Sequence, residues 1–196
     1  MKVFENKLHE KMKQDSYILL VAILTIFGTQ LEISSGIWDL SQHVVGDGDE
    51  WWRPPHYGVY VGIAMTVTAA ILGVRYLMKN EFNKNIRIIV KIIIIATATQ
   101  IAAGYVDYYS HNLFGLDGYV SITHFVLETP LAFNAFAGFL LLAHISNQKS
   151  KNLIRFSIGV VIFSGIAAGF NFVVFYGGEI LCVPIYTVLN YGCSIL

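Results

Sequence analysis

Asp39, His43 and His56 form the pattern D-x3-H-x12-H, and Asp107, His111 and His124 form it again 68 residues further along. Two imidazole nitrogens and one carboxylate oxygen make a three-ligand metal set that leaves coordination positions open for water, oxygen or a substrate. Asp and His four residues apart lie on one helical face, one turn from each other. The twelve residues that follow are enough to turn the chain and set the second His at the start of the next helix. Ligand type alone does not choose the metal: non-haem iron, zinc, manganese and copper all accept two His and a carboxylate.

The offset of 68 extends beyond the ligands. It relates Thr29 to Thr97, Ile33 to Ile101, Gly36 to Gly104 and Asp49 to Asp117, with aromatic residues matched at Trp51 and Tyr119 and at Tyr57 and Phe125. With six His in 196 residues, a given Asp has His at both offsets by accident on the order of once in a thousand. A single Asp or His near a membrane interface is more often solvated or hydrogen-bonded than a ligand. Two matching triples that use four of the six His reverse that preference and point to an internal duplication carrying metal ligands. Glu32 stands seven residues before Asp39, and Gln100 seven before Asp107. Glu128 follows His124 by one turn, where the first copy has Tyr60. Glu32, Gln100 and Glu128 are expected to surround the metal set, orienting imidazoles or relaying protons, with Glu128 also a candidate extra ligand. No residue is assigned a catalytic role.

Other features read more simply. DGDEWW is a turn with interfacial aromatics, since its spacing fits no calcium loop. Pro54 and Pro55 make a rigid entry to a helix. His9 reads as a surface residue and His144 as a cap on a helix end. Gly58, Gly62, Gly104 and Gly138 read as places of close helix packing. Cys182 and Cys193 show no metal spacing and read as small apolar fillers.

The elements that position the ligands follow from composition. Charged residues are 13% of the chain and apolar ones 55%, with mean hydropathy +0.58. A chain so poor in charge cannot cover a water-facing surface, and several apolar runs reach bilayer-spanning length. The reading is all-α: one polytopic transmembrane helix bundle over residues 1–196, with five to six spans. Spans are expected at 17–38, 57–78, 86–108, 124–145 and 153–176, with the ligand loops between the first and second and between the third and fourth. The loop in the second copy is placed at 109–123. The tail from Gly177, interrupted by Pro184, is a partial sixth span or a segment along the membrane edge. The first sixteen residues form a cytoplasmic amphipathic lead-in, with no signal-peptide cleavage pattern.

Repeat one covers about 17–78 and repeat two about 86–146, each a span, a loop and a span, with a C-terminal hairpin at 153–196. Such copies enter the bilayer in the same direction, and an axis along the membrane normal can bring their loops over one central site. Ile166–Phe172 echoes Ile101–Asp107 as a degenerate third copy, with Phe172 and Tyr176 where Asp107 and His111 stand in the second. Twelve of the thirteen Lys and Arg lie in the N-terminal arm or around the second and fourth connections, and Arg53 alone lies on the other side. By the positive-inside rule the N-terminus is cytoplasmic and both ligand loops are extracytoplasmic, in a multi-pass protein of the cell membrane. A net charge of zero argues against a nucleic-acid partner.

The run D-x3-H-x12-H in a span-loop-span setting resembles the metal-site segment of the C subunit of the copper membrane monooxygenases, the particulate methane and ammonia monooxygenases. RPPHYGVY is similar to that family's Pro-containing approach to its second His. The likeness covers about residues 29–131. It implies copper as the metal, held by Asp39, His43 and His56 and by Asp107, His111 and His124. It also implies other monooxygenase subunits as partners and oxidation of a small apolar or neutral substrate. Asp107 departs from the family, whose second set begins with Asn, and makes the two halves more alike and more anionic. The leading expectation is therefore a metal-binding subunit, or a stand-alone relative, of a copper-dependent membrane monooxygenase, taking a substrate from the lipid bilayer. The alternatives are a non-enzymatic membrane protein for metal acquisition or delivery, and a proton or ion path along the polar stripes of Glu32 and Gln100.

Overall fold

The computed structural model describes residues 2–44, 52–79, 84–114, 122–145 and 151–175. These residues hold five helices: α1 (Lys2–Val44), α2 (Pro54–Lys79), α3 (Lys84–Phe114), α4 (Ile122–Ile145) and α5 (Lys151–Phe175). No strand occurs among them. Each helix contains a stretch long and apolar enough to cross a membrane: Gln14–Asp39, Pro54–Met78, Lys84–Ser110, Phe125–Ile145 and Lys151–Phe170. The described residues thus form a helical bundle, and the five spans mark a multi-pass membrane protein.

Two helices are longer than their apolar runs suggest. The polar N-terminal arm belongs to α1, which continues without a break through Asp39 and His43. Tyr109–Phe114, expected in a loop, instead extends α3, so His111 is helical. The C-terminal tail, with its expected sixth span and both cysteines, lies outside the described residues.

The first two helices form an antiparallel pair. At one end the Tyr17 hydroxyl donates to the Leu72 carbonyl at 2.9 Å, and the Tyr17 and Tyr76 rings stack at 5.9 Å. Midway, glycine lets the backbones meet: a methyl group on Gly62 would lie 2.8 Å from the Gly28 carbonyl oxygen and collide with the Glu32 side chain. Next, Gly58 faces Ser35, and at the far end Asp39 faces His56.

Helix α3 packs beside α2, and α4 packs on both α3 and α1, which closes a four-helix ring. Close contacts set the levels. Gly73 meets Val90, and Gly138 meets Ile26, with a methyl at either reaching 2.8 and 2.7 Å from its neighbour. The apolar core of Ile18, Val21, Ala22, Ile26, Ile93 and Leu141 fills the half of the ring nearest Tyr17.

Helix α5 packs outside the ring, against α4 and α1, and stacks Phe156 on Phe27 at 4.9 Å. Its exposed Ile158, Ile162, Ile166 and Phe170 recur every fourth residue. That apolar stripe is suited to lipid.

Candidate metal centre at the rim of the bundle

The antiparallel order places the C-terminal ends of α1 and α3 and the N-terminal starts of α2 and α4 at one end of the bundle. This is the end that carries all six ligand candidates. Asp39 closes the apolar stretch of α1, and His56 lies in the first turn of that of α2, which begins at Pro54.

The chain reaches His56 by a short, defined route. Pro54 and Pro55 are the first residues of α2, where a missing N–H costs nothing because the first turn has no internal acceptor for it. The His56 N–H donates to the Arg53 carbonyl at 3.0 Å and so ties the imidazole's backbone to the turn. The ring lies 6.1 Å from that of Tyr60, centre to centre, and Trp52 lies 6.4 Å from Tyr57 above it.

His56 Nε2 stands 3.2 Å from Asp39 Oδ2, with side chains 17% and 19% exposed. A hydrogen bond spans that distance. So do two ligands of one ion: donors each about 2 Å from a metal stand about 3 Å apart at angles of about 90–110°. The spacing of the pair is that of a hydrogen bond and equally that of two ligands of one ion.

The remaining candidates are located less fully. His43, His111 and His124 belong to α1, α3 and α4, but their side chains lie outside the described residues. Asp107 on α3 and Glu128 on α4 are partly buried, on helices that pack side by side. Among the described residues no group of three or more His, Cys, Asp and Glu gathers as a metal set. Phe172 on α5 packs its ring 5.5 Å from that of Phe125, the residue after His124.

Glu32 and Gln100 lie deeper, each seven residues and so about 10 Å along the axis from its Asp. Both are buried. Glu32 Oε1 accepts a hydrogen bond from the Thr66 hydroxyl at 3.1 Å. In the other half, Asn134 Nδ2 donates to Thr97 Oγ1 at 3.4 Å. Thr66 and Asn134 are also 68 apart. Sequence reasoning missed both, because the two differ in residue type and leave the offset no match to reveal.

No protein-family model, no curated protein and no solved structure matches the chain.

Proposed function

We propose that this protein is a membrane-embedded metal-site protein that binds copper through two Asp-His-His sets, as the metal-bearing subunit of an oxygen-activating monooxygenase or a stand-alone relative of one. The observation that carries the reading is the 3.2 Å approach of Asp39 Oδ2 to His56 Nε2, made between the end of one apolar helix and the start of the next. The second set, Asp107, His111 and His124, sits at the corresponding ends of α3 and α4 and takes the same role in a second repeat. Bound copper would supply one-electron redox chemistry toward oxygen.

The protein's own residues do the rest. Asp39 neutralises part of the ion's charge, and His56 is fixed by the Arg53 turn and the Tyr60 ring. His43 completes the first set from the turn above Asp39. Apolar helices around the rim admit a small apolar or neutral substrate from the bilayer. The Lys and Arg distribution supports an N-terminus in the cytoplasm and this rim on the outer face.

Native purification without chelators, followed by elemental analysis, tests the reading. Copper that falls in Asp39→Ala and in His111→Ala is expected, as are co-purifying subunits if the chain works in an assembly. A protein that carries no transition metal before or after those substitutions overturns it. Metal-dependent oxygen uptake with an alkane or ammonia then separates oxidation from mere metal delivery.

A further inference from the structure

Below the rim, about 10 Å along the helix axes, lies a polar layer. Thr29, Glu32, Thr66, Thr97, Gln100 and Asn134 are each 3% exposed or less, in the middle of helices otherwise apolar. The contacts put them in one layer. Thr66 bonds Glu32, and Asn134 bonds Thr97. Gly138 meets Ile26, so on antiparallel α4 and α1 Asn134 and Thr29 lie together, each about one turn nearer the rim. All four helices of the ring contribute.

Four oxygens of this layer are buried without a partner: Thr29 Oγ1, Glu32 Oε2, Gln100 Oε1 and Asn134 Oδ1. Buried polar atoms are normally satisfied, and those that are not call for a ligand or ordered water. Threonine on an apolar helix ordinarily returns its hydroxyl to the preceding turn, as Thr25 does to the Val21 carbonyl at 2.8 Å. Thr29, one turn along, does not. Each of the four atoms can accept or coordinate, and the layer holds a single carboxylate. An ionisable group inside a membrane bundle faces a functional cavity by default, and ion sites in repeat-built membrane proteins lie at mid-depth between the halves. Oxygen-only donors select hard cations, and one negative charge balances one positive charge.

We propose that this layer is a binding site for a dehydrated alkali-metal cation, with Glu32 as its counter-charge and Thr29, Gln100 and Asn134 as neutral oxygen ligands. It is distinct from the Asp-His-His rim, so it stands or falls independently of the copper reading. Thr66 is a positioning residue that holds one Glu32 oxygen and leaves the other for the ion.

The test uses the full chain in nanodiscs, stripped of transition metal with chelator and probed with radioactive sodium and rubidium ions. Saturable binding of either ion is expected, weakened about tenfold or more in Glu32→Gln and in Asn134→Leu but unchanged in His56→Ala. Helical content by circular dichroism confirms that each variant is folded. Where Glu32→Gln does not fold, Gln100→Leu takes its place with the same expected loss. Folded wild-type protein that binds neither ion overturns the proposal, as does binding that survives both substitutions. Loss of ion binding in His56→Ala also overturns it, since the ion would then belong to the rim.

Discussion

Asp39 and His56 meet across seventeen residues of chain, with Oδ2 and Nε2 3.2 Å apart, although one lies near the end of a helix and the other in the first turn of the next. The pair converts a spacing in the sequence into adjacency in space. It also supplies two donors of different chemistry from two rigid elements.

The first prediction concerns that pair. His56→Ala and Asp39→Ala should each lower bound copper at least tenfold in equilibrium dialysis, an effect of about 1.4 kcal/mol or more. His144→Ala, exposed at the opposite end of α4, should leave copper binding unchanged. Equal copper content in all three variants would remove the rim from consideration as a metal centre.

Among the described residues, Thr66 supplies the only hydrogen bond that Glu32 receives. Thr66→Val keeps the shape but removes the donor, and should cost about 1–3 kcal/mol for leaving a buried acceptor unsatisfied. Reversible unfolding in mixed micelles measures it.

Two glycines should respond in opposite ways. Gly62→Ala drives a methyl into the Gly28 carbonyl and the Glu32 side chain and should destabilise by about 1–3 kcal/mol through forced separation of α1 and α2. A methyl on Gly165 meets nothing within 4 Å. Gly165→Ala should therefore be neutral, or stabilise by up to about 1 kcal/mol through higher helix propensity. Thermal unfolding of the two variants side by side distinguishes packing from a general intolerance of substitution.

Orientation is tested by chemical labelling. In a Cys182→Ser, Cys193→Ser background, a cysteine replacing Trp52 should react with an impermeant maleimide on intact cells. One replacing Lys151 should react only after permeabilisation. The reverse pattern would place the rim in the cytoplasm.

How much of this was legible beforehand varies with the physics behind each feature. The spans were plain because twenty consecutive apolar residues have few alternatives to a membrane. The ends of α1 and α3 were not. Lys7–Asp15 and Tyr109–Asn112 are polar, and hydropathy marks where a helix leaves the bilayer, not where it stops. Asp39 and His56 could be paired from spacing alone, since a fixed interval recurs with the same residue types. Thr66 and Asn134 escaped notice because a lone hydroxyl or amide in an apolar run usually satisfies itself within its own helix. The packing of α2 on α1 and of α4 on α3 gives them partners on a neighbouring helix, which for Thr66 stands beside the Ile63 carbonyl of its own turn at 3.1 Å.

The Gly28–Gly62 crossing bears on how the chain enters the membrane during synthesis. Once the first hairpin has been threaded, Glu32 already has the Thr66 hydroxyl against it, before any of α3 exists. An acid that would hinder insertion of an isolated helix is thus chaperoned by its immediate neighbour. On α3, Thr97 gains its partner Asn134 only when α4 arrives. Nascent chains halted after the third span are therefore the ones most exposed to quality control.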